Sequence, residues 1–596
     1  MQTINDVHQQ FAEFFKSDLL KPFAFLVSKK LAEGSICLDL DDVIEELASN
    51  AFYADHKVEP ASLLHEPFVA TSESEKQPFV LHNHKLYLQR YFNYETQIIQ
   101  RLNLFAESEK EQLALRETAL RKQVDFIRSM FENKLAVTGK NPTKKINWQL
   151  VASITGVLND FTIITGGPGT GKTTTVATIL AILYTINPLL KVALAAPTGK
   201  AAVRMADSLK SSSKHMPAAI NARFQTITPV TIHRLLKPVR DTPYFKQDKD
   251  NPLNEDVIIV DESSMIDAAL LAKLMNATGA GTKLILLGDK DQLASVEAGS
   301  LFGDLCKTQS FFQLSAGRAS LVNSFISDPS RQINKEMIAE GNGHVLFEHI
   351  VELKESHRFS NDKGIGKYSK AIITGDQEQL NAFLKNKDDQ VIIDTGYDEK
   401  IFEQFIESYA SYIREPDINR ALEQLNNLRV LCAVREGEKG TYALNRKIEK
   451  YLHQKKLIKA GKEFYENRPV IITRNYYDYN LFNGDVGIIR SDENGVLKAW
   501  FEDASGETKS VLPGFISEAE TVFAMTIHKS QGSEYDQVLI VLPDVADMPL
   551  LTAELLYTGV TRAKVKVIVQ AAENVILETS KRRVKRASGI IERFRE

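Results

Sequence analysis

Residues 166–173, Gly166-Gly167-Pro168-Gly169-Thr170-Gly171-Lys172-Thr173, fit the pattern G-x-x-x-x-G-K-[ST] without a mismatch. Such glycines let backbone N–H groups curl around a phosphate. Lys172 then places its charge on β- and γ-phosphate oxygens, and Thr173 offers a hydroxyl to Mg²⁺. The chemistry implied is binding of a nucleoside triphosphate. Further along, Val257-Ile258-Ile259-Val260-Asp261-Glu262 is an apolar run ending in two acids. Asp261 is placed to hold Mg²⁺ through its water shell, and Glu262 to polarise the water that attacks the γ-phosphate. Gly288-Asp289-Lys290-Asp291-Gln292 ends the next apolar run and brings Gln292 to the same crevice, where it could contact the γ-phosphate. Arg358, in Glu355-Ser356-His357-Arg358-Phe359, and Arg562, in Val560-Thr561-Arg562-Ala563, have the charge to stabilise a γ-phosphoryl transition state, an effect of roughly 10³ to 10⁵ in rate. Supplied from a second unit across a cleft, they make closure depend on the γ-phosphate and convert hydrolysis into domain movement.

The elements that must position these residues are readable. Apolar strands are expected at Phe161–Thr165, Lys191–Ala196, Val257–Val260 and Lys283–Leu287, each followed by a polar loop and a helix, the first helix running from Thr173 to Leu183. That alternation predicts a parallel, doubly wound sheet with ligands at the carboxyl ends of its strands. A second set, Arg429–Val434, Val522–Met525, Val538–Leu542 and Val565–Val569, predicts a second α/β unit. Within it, short strands at 468–472, 486–490 and 496–501 are separated by Asn483-Gly484-Asp485 and Glu493-Asn494-Gly495 and read as an inserted β-barrel. The stretch to about residue 125 has helical apolar spacing and no catalytic motif; within it, Lys85–Phe92 fits either a strand or a buried helix turn. Gly139-Lys140-Asn141-Pro142-Thr143-Lys144-Lys145 marks the boundary before the nucleotide domain, and the stretch from about Ser211 to Asn254 is an excursion from it.

At 596 residues the chain is too long for one core. Hydrophobic residues make up 43% and charged residues 25%, and no apolar stretch is long enough to span a bilayer. The N-terminus lacks a secretory signal, so a cytoplasmic location and no membrane partner are expected. Cys37, Cys306 and Cys432 read as reduced core residues. A net charge of −4 gives no direct support to nucleic-acid binding, although a local cationic groove is invisible in a sum. The basic tail Lys581-Arg582-Arg583-Val584-Lys585-Arg586 reads as a solvated helix end rather than a phosphate-binding patch.

The ordered set of motifs resembles the superfamily 1 helicases. Gln149, in Asn147-Trp148-Gln149, is similar to that family's adenine-reading glutamine. Ala196-Pro197-Thr198-Gly199-Lys200-Ala201-Ala202, Thr231-Ile232-His233-Arg234-Leu235 and Thr526-Ile527-His528-Lys529-Ser530-Gln531-Gly532-Ser533-Glu534 resemble its single-strand-contacting motifs. More narrowly, these motifs, with Gly288–Gly299 and Leu481-Phe482-Asn483-Gly484-Asp485-Val486-Gly487, resemble the RecD family, the alpha subunits of exodeoxyribonuclease V. Leu86–Tyr91 and Leu431–Gly437 extend that likeness over nearly the whole chain, most weakly in the first 80 residues and at 305–350. Ser263 and Gly559 stand where that family leads one to expect Ala.

The resemblance implies two RecA-like parallel-sheet motor domains, at 126–345 and 346–596, with an SH3-like β-barrel inserted at about 462–520 and a helical domain at 1–125 that docks a partner. It implies ATP and Mg²⁺ held by Gln149, Gly166, Gly167, Pro168, Gly169, Thr170, Gly171, Lys172, Thr173 and Thr174, with Thr173 and Asp261 at the metal. Thr198, His233, Thr526 and His528 are the implied DNA contacts. The activity implied is ATP-dependent 5′ to 3′ unwinding within a heterotrimer with RecB-like and RecC-like subunits. That complex would act on single strands and duplex ends in recombinational repair. A stand-alone 5′ to 3′ helicase of the same superfamily is the alternative.

Overall fold

A computed structural model describes residues 6–48, 52–53, 59–72, 75–138, 146–308, 312–341, 344–359, 363–502 and 508–594. The boundary segment expected at Gly139–Lys145 lies outside the described residues. The N-terminal region is helical in large part, dominated by the 33-residue helix Gln89–Arg121. It also holds a four-stranded sheet of β1 (Cys37–Asp39), β2 (Val69–Ala70), β3 (Phe79–His82) and β4 (Lys85–Leu88), in the order β1-β4-β3-β2. Strands of two to four residues are too short to show a period, so helical spacing dominates the pattern of this stretch. Lys85–Phe92 turns out to be both alternatives in succession, β4 followed directly by the long helix.

The first large sheet contains β5 (Phe161–Thr165), β6 (Val192–Ala196), β7 (Pro229–Thr231), β8 (Val257–Val260), β9 (Lys283–Gly288) and β10 (Ile350–Glu352), all parallel in the order β10-β5-β9-β8-β6-β7. Its faces pack against separate cores, Ile164 and Leu287 on one side, Ile163 and Leu286 on the other, so these strands read as unbroken apolar runs. β10 corrects the expected domain boundary at 345/346: Ile350–Glu352 pairs with Ile163–Thr165 and completes the first sheet. The chain continues through β11 (Val391–Asp394) and β12 (Leu428–Cys432), leaves for an insertion of β13 (Arg468–Ile471), β14 (Val486–Ser491), β15 (Leu497–Glu502), β16 (Thr508–Val511) and β17 (Glu520–Thr521), and returns through β18 (Ala524–Thr526), β19 (Tyr535–Val541) and β20 (Ala563–Gln570). The second large sheet is parallel in the order β11-β20-β19-β12-β18. The insertion is antiparallel in the order β16-β15-β14-β13-β17, with a small core around Val470, Ile489 and Phe501. Among the described residues β16 and β17 are the two edges of the sheet and do not pair, so in place of the expected small barrel the strands form an open sheet.

The basic tail is a strap. Arg582 donates to the carbonyls of Ala546, Met548 and Leu551 at 3.1, 2.8 and 3.0 Å, Arg583 to Ile373 O, and Arg586 to Ser295 O at 2.6 Å. Beyond it, Gly589 N and Arg593 Nη1 donate to the fully buried Glu95 at 2.9 and 3.3 Å, which returns the chain end to the N-terminal region. Backbone carbonyls take the guanidiniums of Arg582, Arg583 and Arg586, whereas Lys581 and Lys585 are exposed. The three cysteines are free and buried.

Candidate functional site

β5 is buried along all five residues, which fixes where the glycine loop starts. Gly171 caps the helix Lys172–Ile186 with φ 86°, and Gly169 has φ 75°. A Cβ would lie 2.1 Å from Gln149 Nε2 at the first and 2.4 Å from Arg358 Cβ at the second, so both positions need glycine. Lys172 Nζ donates to Gly166 O at 2.5 Å and Gly167 O at 3.3 Å, which sets the ammonium inside the loop. Thr175 and Thr178 turn their hydroxyls back onto helix carbonyls, whereas Thr173 and Thr174 line the cleft. Gln149 Nε2 donates to Thr170 O at 3.2 Å and lies 3.2 Å from His357 Nε2. The cleft has a volume of 1420 Å³ and is lined by the loop from Pro168 to Thr174 together with Gln149, Asp261, Glu262, Gln292, Arg358 and Arg562. Gly166 and Gly167 sit behind that surface, against Leu353 and Tyr557.

Asp261 follows β8, with its N–H on Ala195 O at 2.9 Å and its Oδ1 accepting from Glu262 N at 2.8 Å. Burial, and then the charge of Glu262, push its carboxyl up to about 6 against the pull of Lys172. Glu262 stands at φ 51°, ψ 39°, a left-handed conformation that costs a non-glycine residue about 1 kcal/mol or more and that collects at functional sites. A backbone cradle, a lysine within it, a threonine hydroxyl and a half-buried acid at the cleft fit a triphosphate with Mg²⁺. Among the described residues no group of three or more His, Cys, Asp or Glu could hold a metal unaided, and Mg²⁺ takes only one or two protein ligands beside phosphates and waters.

Two networks cross the cleft. Arg562, at the end of the helix Ala553–Thr561 and 3% exposed, donates to Gln292 Oε1 at 2.7 Å; Gln292 Nε2 donates to Asp289 Oδ2 at 2.9 Å, and Tyr557 Oη donates to the same oxygen at 3.0 Å. Thr558 Oγ1 accepts from Leu293 N at 2.9 Å, and Gln531 Nε2 donates to Leu293 O at 2.7 Å. In the second, Glu534 takes Arg358 Nη1 at 2.8 Å and Arg204 Nη2 at 2.9 Å. Burial would raise the Glu534 carboxyl, but the two guanidiniums outweigh it and hold it at about 2. Arg358 corrects its expected origin. Its segment is bound to the phosphate loop through His357 N on Gly169 O at 2.8 Å and Ser356 Oγ on Pro168 O at 3.0 Å, so only its guanidinium reaches the second motor domain. Arg204, Asp289 and Tyr557 were missed and Glu534 was given no role, since each depends on a partner distant in the chain.

The four expected strand contacts follow the carboxyl ends of three strands, Thr198 after β6, His233 after the paired β7, and Thr526 and His528 at the end of β18. Thr198 caps the helix Gly199–Ser213, accepting from Ala201 N at 3.3 Å. His233 is exposed, its ring 5.7 Å from that of Phe245. Thr526 is 8% exposed and accepts from Lys529 N at 3.2 Å, so its hydroxyl serves the turn before any ligand. His528 is partly buried, and burial followed by the Arg586 guanidinium holds its imidazole below the ordinary value. Arg234 lies 5.4 Å over the ring of Phe482, joining the first motor domain to the inserted sheet.

Three family patterns match the chain: the RecBCD enzyme subunit RecD N-terminal domain at 1–87, an AAA domain at 149–298 and the UvrD-like helicase C-terminal domain at 521–570. The chain is similar to RecBCD enzyme subunit RecD of Mycobacterium tuberculosis, 34% identical over 94% of this chain and 89% of the relative. It is similar to that of Haemophilus influenzae at 31% over 98% and 94%. The ATP-dependent RecD2 DNA helicase of Deinococcus radiodurans is 27% identical over 73% of this chain but only 50% of its own length. A Bacteroides Pif1 helicase bound to single-stranded DNA aligns over 71% of the chain at 17% identity and TM-score 0.36, too loose a likeness to add to these. With full-length identity above 30% to two such subunits, the chain belongs to the RecD family of RecBCD helicase subunits.

Proposed function

We propose that this chain is an ATP-dependent DNA helicase subunit that moves 5′ to 3′ along one strand, in a heterotrimer with RecB-like and RecC-like chains that processes duplex ends for recombinational repair. The observation that supports it most is one cleft lined by the glycine loop of the first sheet and by Arg562 of the second, the geometry in which hydrolysis can move one motor domain against the other. Lys172 and the helix N-terminus hold the β- and γ-phosphates. Thr173 and Asp261 hold Mg²⁺, which neutralises charge on the phosphates. Glu262 orients and deprotonates the attacking water, and Gln292 passes the presence of the γ-phosphate to Arg562, whose guanidinium stabilises the transition state. Gln149 contacts the base. Thr198, His233, Thr526 and His528 line the strand's path, with bases sliding past Phe482 and Arg234. The N-terminal region docks the RecC-like partner.

Identity favours the subunit over a stand-alone enzyme, since the RecD relatives are 34% and 31% identical to the chain, RecD2 is 27% identical, and the RecD N-terminal pattern matches 1–87. Unwinding of duplexes with 5′ or 3′ tails, by the isolated chain and by the reconstituted complex, tests the reading. The expected outcome is unwinding of 5′-tailed substrates that Lys172→Gln abolishes. Unwinding of 3′-tailed duplexes, or ATP hydrolysis indifferent to single strands, defeats it.

A further inference from the structure

Glu534 lies in the turn that leads into β19, with 21% of its side chain exposed, and is the one carboxylate of the second motor domain that carries described ion pairs to both Arg204 and Arg358. Arg204 comes from the helix Gly199–Ser213 and also donates through Nη1 to Gly532 O at 2.5 Å. It thus grips the Glu534 turn at two points. Among the described residues Arg358 has one carboxylate contact, Oε1 of Glu534, while its backbone is pinned to the phosphate loop, with Gly169 so close that a Cβ there would lie 2.4 Å from Arg358 Cβ. Its main chain is held at the loop, and its guanidinium shares the cleft with Lys172, where a bound anion would compete with Glu534 for it.

We propose that Glu534 is a positioning residue that competes with the γ-phosphate for the Arg358 guanidinium, and so sets how strongly the cleft prefers a triphosphate over a diphosphate. The inference rests on the reading of Arg358 as a γ-phosphate contact. A carboxylate and a phosphate offer the same planar donor fork equivalent anionic acceptors. A diphosphate leaves Arg358 on Glu534. A triphosphate draws Arg358 away, and Glu534 keeps only Arg204. The second motor domain thereby loses one of its two ionic links from Glu534 to the opposite wall only when a γ-phosphate is present. The exchange works through differential affinity, which is what a ligand needs in order to shift a conformational equilibrium.

The test is equilibrium binding, to the full chain in Mg²⁺ buffer, of ADP and of the β,γ-imido analogue of ATP. Glu534→Gln keeps the shape and removes the competing charge, so the imido analogue should bind roughly tenfold more tightly with ADP within about twofold. Glu534→Asp, which keeps the charge, should stay near wild type. ADP affinity reports a folded loop in every variant. Equal tightening of both ligands is general electrostatics, and equal weakening of both is a contact from Glu534 to the ribose or base; either overturns the proposal, as does no change. Arg358→Ala separates the two claims. If it abolishes the triphosphate preference while Glu534→Gln does nothing, the exchange fails and the Arg358 contact stands. If it leaves the preference at wild type, the Arg358 contact fails, and with it the exchange. In Glu534→Gln/Arg358→Ala the gain should vanish; its survival also overturns the exchange.

Discussion

The two walls of the cleft are built by different means. The first is backbone: a buried strand, a loop whose glycines exclude any Cβ, and a helix start, all within one continuous stretch. The second is side chains, and each that reaches the first wall already holds a partner there, Arg562 on Gln292, Tyr557 on Asp289 and Thr558 on Leu293. A wall of fixed dipoles binds phosphate with little reorganisation, whereas a wall of paired side chains can act only by exchanging partners. Binding belongs to the first and coupling to the second.

The largest test of that contrast compares Lys172→Gln with Arg562→Ala. Arg562→Ala should cut hydrolysis by roughly 10³ to 10⁵ while ADP affinity stays within about twofold. Lys172→Gln should lose hydrolysis and weaken triphosphate binding together. Single-turnover hydrolysis beside equilibrium binding separates the two. If Arg562→Ala also loses nucleotide, the walls do not divide the labour as described.

Next in size is Gly171→Ala. A non-glycine residue at φ 86° pays about 1 to 3 kcal/mol, and the new Cβ meets Gln149 Nε2 at 2.1 Å, so triphosphate affinity should fall more than tenfold. Gln149→Ala removes the clash, together with the base contact, and leaves the backbone strain, so measured against Gln149→Ala alone the loss from Gly171→Ala should recover in part. Full recovery would mean that the loop's conformation, the basis of the first wall, is not what binds.

These differences also explain what could be read from the chain. The first wall was legible because its chemistry sits in consecutive residues, and a buried strand must be apolar at every position. Asp261 and Glu262 were legible for the same reason, as the ends of such a strand. The pairing of Glu534 with Arg204 was not, because an ion pair between two motor domains leaves no trace in either local pattern. Arg358 was assigned to the wrong wall because β10, three residues long, carries too few positions to announce that it joins the first sheet. The arginines of the tail looked solvated because a charge run reads the same whether water or carbonyls satisfy it.

Behind the cleft the strap offers a pH test. Burial pushes Glu95 up to about 7 despite Arg593 and the Gly589 N–H. A carboxyl raised above its unfolded value of 4.5 gives stability that is complete below 4.5 and lost as pH rises through about 7. Hydrogen-exchange protection at 589–593 should therefore fall by about 2 to 3 kcal/mol between pH 5 and pH 8 in the wild type, relative to Glu95→Gln. Parallel profiles would show that this ion pair does not titrate, and that the rear of the molecule is as fixed as the phosphate loop.

The smallest effect belongs to Tyr557→Phe, which removes one hydroxyl. Tyr557 and Asp289 are 6% and 2% exposed, so the lost bond leaves a buried acceptor short of one donor; Gln292 Nε2 still reaches the same oxygen and caps the cost at about 1 kcal/mol, or some fivefold in rate. Its value lies in the cycle with Arg562→Ala. If the second wall is one network running from Tyr557 through Asp289 and Gln292 to Arg562, the loss from Tyr557→Phe should disappear once Arg562 is gone, because the hydroxyl then positions nothing that reaches the phosphate. Additive losses would mean that Tyr557 and Arg562 bridge the cleft independently, and the coupling assigned to the second wall would be two separate contacts.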